Sequence, residues 1–324
     1  MSGALERSES VSSGKQILMS ETAANASQAT TISALAANAP SGRVTKRANA
    51  WTRFRRHKLA LIGVCILFIL VVLAIGSPWI APNDPYKTNL RYISDAPSRD
   101  FWLGTDASGR DVFARVTLAG RVSLQVGLVA VSIYTTIGIV VGALAGYYGG
   151  FLDSFLMRLA DIFLAFPSLI IIITLVSVLG PSMWNIMAVI GLLGWPPIAR
   201  IVRGQFLSLR EREFVLASQT VGARNRRIMF RHLLPNALAP VIVAATFGMA
   251  SAILLEAGLS FLGLGVQPPT PTWGNMLTDA QSLSILQNML WLWIPPGVMI
   301  AMAVLSINFI GDGLRDALDP HHTR

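Results

Sequence analysis

The strongest constraint on this chain is a set of six apolar stretches almost free of charge, at about residues 59–80, 122–148, 162–179, 184–202, 238–255 and 289–310. A helix rises 1.5 Å per residue, so about 20 apolar residues cross a hydrocarbon layer roughly 30 Å thick. A charge at the middle of such a helix costs about 2.5–3.5 kcal/mol. The pattern therefore predicts an all-α, polytopic membrane protein with six transmembrane helices. A membrane barrel would show alternating segments of about ten residues instead. Prolines interrupt two of the stretches, Pro196 and Pro197 in the fourth and Pro295 and Pro296 in the sixth. Because proline removes a backbone donor, Pro196 and Pro197 are hinge candidates.

Composition closes off other classes. Only 13% of the 324 residues are charged and 53% are hydrophobic, whereas soluble domains carry about 25% charged residues. That excludes a soluble enzyme and a disordered regulator, and the sole cysteine, Cys65, excludes a disulfide-stapled module. The net charge is +9, but the basic residues sit beside apolar runs, which points to a membrane surface and not to nucleic acid. Residues 1–50 are rich in Ser, Ala, Thr and Asn, lack a signal-peptide core, and read as a disordered tail. Residues 321–324 read as a short solvated tail that includes His321 and His322.

The loops set an orientation. Residues 43–58 hold seven Lys or Arg and no acid, and residues 200–231 hold eight Arg against Glu211 and Glu213. Residues 82–115 balance five basic with five acidic residues, and residues 258–288 contain no Lys or Arg. The positive-inside rule places both basic stretches and both termini in the cytoplasm.

Chemistry of its own is missing from the chain. No GxxxxGK[ST] phosphate loop is present, no HExxH, and no Ser/His/Asp set can be assembled, so no catalytic residue, metal ligand or bound cofactor is assigned. Glu256 is the only acid near an apolar segment and reads as a helix-end residue bonded to backbone or water. Asn185 and Asn308 read as helix–helix hydrogen-bonding residues, and Gly138, Gly142, Gly146 and Gly150 as a close-packing face. An ion-driven secondary transporter, the alternative of a different class, would need ionisable relays within the membrane. Without them, solute movement would have to be powered by another subunit.

The long basic loop at residues 203–235 is the most informative segment. Leu207, Leu209, Phe214, Val215 and Leu216 stand among charges, as in short amphipathic helices outside the bilayer. Gly222 is placed to end the first of these and Pro235 to begin the next span. Such a helix can fill a partner's groove or lie on anionic lipid.

The run EFVLASQTVG from Glu213 to Gly222, followed by Leu234 and Pro235, resembles the EAA loop of ABC-importer permeases. Aligned on Gly222, the Glu-Ala-Ala triplet reads Leu216, Ala217 and Ser218, with Glu213 one turn earlier and Ala223 directly after the glycine. The triplet's own Glu is absent, so its salt bridge is not carried over. Three other stretches are similar to the peptide/nickel subfamily of these permeases. They are LGTDASGRD at residues 103–111 with RVSL at 121–124, QPPTPTWG at 267–274, and GDGLRDALDP at 311–320. The turn formed by Gly104, Asp106, Gly109, Arg110 and Asp111 is the motif expected on the periplasmic side; Trp273 is expected at the membrane interface.

The resemblance spans about residues 50–320 and implies a permease domain at 51–320 whose loop at 203–235 couples to an ATPase. It implies a bacterial inner-membrane location and the second permease of a dipeptide or oligopeptide importer, with nickel chelates or glutathione as alternative cargo. The implied partners are a homologous permease subunit, two ATP-binding subunits that hold ATP and magnesium, a periplasmic or lipid-anchored substrate-binding protein, peptide and membrane lipid. Pro196 and Pro197, with Pro235, are the implied hinge or kink points of the lever.

Overall fold

A computed structural model describes residues 50–318; the tails read from sequence over 1–50 and 321–324, apart from residue 50, and the last two residues of the expected permease domain, 319–320, lie outside the described residues. The described chain is helical, with one isolated antiparallel bridge between Thr105 and Asp111. A short helix α1 (Ala50–Phe54) leads into α2 (Lys58–Ile80), whose first turn is capped by His57: its Nδ1 accepts the Ala60 N–H at 3.1 Å. Helix α3 (Val112–Tyr148) follows a long loop. It begins ten residues before the expected 122, because Asp111 Oδ1 accepts the N–H groups of Phe113 and Ala114 at 2.8 and 3.3 Å. Capping by a carboxylate outweighs the local polarity that Arg115 and Arg121 give the sequence.

The third expected span is a bent pair. Helices α4 (Gly150–Ala165) and α5 (Ser168–Leu179) meet at 83°. Pro167 causes the break: it cannot donate, and it holds Phe166 in the extended region at φ −101°, ψ 145°. The fourth span is likewise two pieces, α6 (Met183–Leu193) and α7 (Trp195–Arg210), joined through Gly194. Pro196 and Pro197 fall in the first turn of α7, where a missing N–H leaves no intrahelical bond unmade, so the discontinuity lies just before them.

Helix α8 (Glu213–Thr220) is followed by α9 (Asn225–Arg227), a π-helical turn (Ile228–Leu233) and α10 (Leu234–Phe261), which run as one helical course over Asn225–Phe261. Pro235 therefore does not begin the span. The helix widens just ahead of it, with the Leu234 N–H reaching back to the Met229 carbonyl, as helices do where an i→i−4 bond cannot form. The loop expected over 203–235 shrinks to about residues 211–224. Beyond α10 come α11 (Trp273–Met276), a 3₁₀ turn (Leu277–Gln281), α12 (Leu283–Asn288) and α13 (Leu290–Leu318).

Five helical courses among the described residues are long and apolar enough to cross a membrane, and the bent pair makes up to six. The multi-span helical architecture is thus the one expected. Two large buried clusters hold it together. One joins α3, α6, α7, the π turn and α10; the other joins α2, the first half of α3, α10, Trp273 and α13. Outward-facing Phe68, Ile69, Val72, Ile75 and Trp79 leave α2 apolar on its exposed side, as lipid contact requires.

Candidate functional site

The loop between α7 and α9 is built on a Schellman motif. Gly222 sits at φ +76°, its N–H bonds the Gln219 carbonyl at 2.9 Å, and the Ala223 N–H bonds the Ser218 carbonyl at 3.0 Å. Only glycine takes that left-handed conformation without strain, so Gly222 fixes the reversal after α8. One side chain of α8, Val215, is fully buried and joins the cluster containing Ile228, Met229 and Leu233. The residues on either side of it are uncovered, Phe214 being 41% exposed and Leu216 50%, as is Val221 just past the helix at 87%. A groove of 710 Å³ runs along this reversal, lined by Ala217, Ser218, Val221, Gly222, Ala223 and Arg224. Four of the sequence-predicted coupling residues, Ala217, Ser218, Gly222 and Ala223, thus meet on one surface. The exposed Glu213 lies in the first turn of α8, where the helix dipole favours a carboxylate, and has no ion-pair partner among the described residues. Leu234 and Pro235 lie past the π turn, outside the groove.

Helix α7 leads from this loop into the bundle and is tightly held. A Cβ on Gly138 would lie 2.6 Å from Ile198 Cβ, one on Gly142 2.4 Å from the Ala199 carbonyl oxygen, and one on Gly146 2.6 Å from Phe206 Cβ. The small-residue face of α3 is therefore the seat of α7. Gly150 is not part of it, since it starts α4 and has nothing within 4 Å. From the other side, α4 grips α7 through two ion pairs, Arg200–Asp161 at 2.5 Å and Arg203 Nη2–Asp153 Oδ2 at 2.6 Å. Helix α7 is thus held by both α3 and α4.

The opposite end of the bundle is organised around two carboxylates. Asp106 Oδ1 accepts the N–H groups of Ser108 and Arg110 at 2.8 and 3.0 Å, and its Oδ2 pairs with Arg110 Nε at 2.7 Å and Arg115 Nε at 3.4 Å. Asp111 caps α3 and also accepts from Asn83 Nδ2 at 2.8 Å. Gly104 and Gly109 turn the chain between them at φ +71° and +69°, and a Cβ on Gly109 would strike the Asn89 carbonyl. The hydroxyl of Thr105 donates to the Tyr92 carbonyl and accepts the Asp95 N–H at 2.9 Å. A pocket of 280 Å³ opens beside this turn, lined by Asp106, Arg110, Arg115, Gln267, Asn275 and Asp279. Burial, followed by the Asp106 charge, lifts the Asp279 carboxyl above its usual range, with Arg115 and Arg110 opposing.

Two sequence expectations are corrected here. Trp273 is not an interfacial residue: it is 1% exposed, its indole N–H donates to the Val116 carbonyl at 3.0 Å, and its backbone N–H donates to Ser123 Oγ at 3.2 Å. A reciprocal capping box between Thr272 and Asn275 turns it inward. Glu256 is not a solvated helix end: it is wholly buried inside α10 and accepts hydroxyl hydrogen bonds from Ser260 at 2.7 Å and Ser123 at 3.1 Å. Buried polar groups need such partners, and here they come from α3 and α10 together. Arg115 and Asn83 were also missed; an arginine opening an apolar run is itself a signal, because a buried charge requires a counter-charge.

Residues 138–324 match the family described as binding-protein-dependent transport system inner membrane component, and residues 46–97 match the N-terminal TM domain of oligopeptide transport permease C. A putative peptide permease protein of Brucella suis biovar 1 is 44% identical over 282 residues, covering 87% of this chain and 92% of that protein. The dipeptide transport system permease protein DppC of Alkalihalophilus pseudofirmus is 44% identical over 271 residues, covering 84% and 88%. The oligopeptide transport system permease protein OppC of Bacillus subtilis is 42% identical over 272 residues, with the same two coverages of 84% and 88%. Matched by the family over more than half its length, the chain belongs to the binding-protein-dependent transport system inner membrane components.

Proposed function

We propose that the chain is one of two homologous permease subunits of an ATP-driven importer of di- or oligopeptides in a bacterial inner membrane. Both termini and the α8 loop face the cytoplasm, on the side richer in arginine. Two ATPase subunits, which hold the ATP and magnesium, dock there, and one of them receives α8; this chain holds no cofactor. A substrate-binding protein delivers cargo at the opposite end, where the turn at Gly104, Asp106, Gly109, Arg110 and Asp111 lies beside the loop containing Trp273. Closure of the ATPases displaces α8, and α7 carries the displacement into α3 because the glycine seat leaves it no slack.

The observation that carries this reading is the division of α8 between a buried Val215 and an exposed Phe214, Leu216 and Val221. An apolar crest held on a fixed base suits a helix that fills a partner's groove. The peptide cargo is supported by the names of the relatives. The test is uptake of labelled dipeptide into proteoliposomes holding the assembled transporter. Gly222→Asp is expected to abolish ATP-coupled uptake while the chain stays in the membrane, because a side chain at φ +76° disturbs the reversal. Undiminished uptake would remove the lever. Uptake of a nickel chelate or glutathione in place of peptide would change the cargo alone, and uptake driven by an ion gradient without ATP would overturn the ATPase coupling.

A further inference from the structure

At the loop end of the bundle, α3, α7 and the π turn enclose a crevice of 230 Å³ walled by Val140, Leu144, Phe206, Met229 and Phe230, with Arg226 at its mouth. Its walls are almost wholly apolar, and Val140, Tyr148 and Phe230 are each about half exposed, so it opens on the outer face of the helices. Arg226 and Phe230 also line an adjoining depression of 420 Å³ together with Arg224 and Arg227. All three arginines are exposed, and none has an ion-pair partner among the described residues. The neighbouring Tyr147–Tyr148 pair, with Tyr147 Oη donating to Asn225 Oδ1 at 2.9 Å, sits at the end of α3 where aromatic residues mark the headgroup level.

We infer that this is a binding site for one anionic phospholipid of the adjoining leaflet, its acyl chain in the crevice and its phosphate among Arg224, Arg226 and Arg227. Water gains nothing in an apolar crevice that offers it no hydrogen bonds, whereas an acyl chain gains with every methylene it buries. A zwitterionic lipid would fill the crevice but leave three clustered positive charges uncompensated; basic pockets between membrane helices select anionic headgroups for this reason. The site adjoins the π turn that joins the α8 loop to α10, so its occupant would brace the segment through which the loop moves. The inference needs only the membrane placement of the bundle and is independent of cargo and energy source.

The full-length chain, purified in mild detergent, is incubated with phosphatidylglycerol or phosphatidylcholine of identical acyl chains, and retained lipid is counted by native mass spectrometry. Phosphatidylglycerol is expected to be preferred on the order of 100-fold, the equivalent of ~1 kcal/mol for each arginine. The triple substitution Arg224→Gln, Arg226→Gln, Arg227→Gln removes the preference, while Arg55→Gln, an exposed arginine elsewhere, leaves it intact. Val140→Trp keeps every arginine but plugs the crevice, and lowers phosphatidylglycerol retention at least tenfold without changing capture of soluble glycerophosphoglycerol. Equal retention of the two lipids, a preference that survives the triple substitution, or an equal loss with Arg55→Gln overturns the site. So does a Val140→Trp chain that retains phosphatidylglycerol as well as the parent, which would reduce the arginines to a plain anion patch.

Discussion

The two ends of the bundle are built on opposite plans. At the end carrying Asp106 and Trp273, the buried carboxylates Asp106, Asp111 and Glu256 find partners inside the chain: Asp106 with two backbone donors and two arginines, Asp111 with the α3 cap and Asn83, Glu256 with two serines. At the α8 end, Phe214, Leu216 and Val221 are uncovered, and Arg224, Arg226 and Arg227 have no ion-pair partner among the described residues. A satisfied hydrogen-bond network specifies one arrangement and resists deformation, while an uncovered apolar surface marks where another molecule is required. One end is completed by its own sequence and the other by what binds it.

If so, damage at the first end shows as lost stability. The largest effect is expected from Trp273→Ala, which empties a buried site and removes the indole hydrogen bond to the Val116 carbonyl; truncations of this size cost about 3–5 kcal/mol. The thermal aggregation midpoint of the purified chain in detergent is the measurement, and an unchanged midpoint would mean that the side chain does not key α3 to α10. Asp106→Ala ranks next. It leaves Arg115, 5% exposed, without the carboxylate it pairs with directly, and breaking a buried pair costs about 3 kcal/mol. The conservative Asp106→Asn keeps the backbone acceptor and is expected to recover part of the loss, which separates the hydrogen bonds of the turn from the charge pair.

Damage at the second end should leave stability alone and remove function. Replacing Phe214, Leu216 and Val221 together by Ser exposes no core and is expected to shift the chain's own stability by less than about 0.5 kcal/mol, as surface substitutions do. Peptide uptake and co-purification of the ATPase subunits are expected to fall more than tenfold. A large stability loss with intact co-purification would reverse the comparison. Val215→Ser is the internal control, because that side chain is fully buried and its loss must register as instability.

The difference between the ends also governs how far the sequence could be read. Membrane spans were legible because the cost of a charge in hydrocarbon acts residue by residue and needs no knowledge of neighbours. Gly222 was legible for a similar reason, since a glycine ending an amphipathic run is a local signal with a local cause. Trp273 and Glu256 were misread because their partners, Val116, Ser123 and Ser260, include residues more than 130 positions away, and a side chain that looks interfacial in isolation is buried once that contact forms. The start of α3 was misplaced because Arg115 resembles a loop residue until Asp106 is brought beside it. The stretch 162–179 was read as one span although Pro167 stands inside it, and the chain breaks there into two helices that meet at 83°. At the α8 groove, Ala217, Ser218, Gly222 and Ala223 meet because one local motif assembles them, whereas the π turn carries Leu234 and Pro235 away from that surface.

The smallest effect concerns acidity and bears on how complete the first end is. Asp279 lines the pocket beside Asp106, Arg110 and Arg115, and burial followed by repulsion from Asp106 raises its carboxyl pKa above the ordinary 3.8. A carboxyl that holds its proton more tightly in the folded state than in the unfolded one favours folding at low pH, and that contribution is lost as pH rises through the raised folded value. Stability of this end, followed by amide exchange over α11 and the 3₁₀ turn, is therefore expected to decline slightly from the ordinary carboxylate range upward. Asp279→Asn carries no charge at any pH, and is expected to flatten that decline while leaving exchange in α8 untouched. A wild-type decline that persists in the Asn variant would assign the titration to another group. A stability that rises with pH across the same window would mean that Arg110 and Arg115 outweigh burial and Asp106, so that Asp279 too is paired within the network.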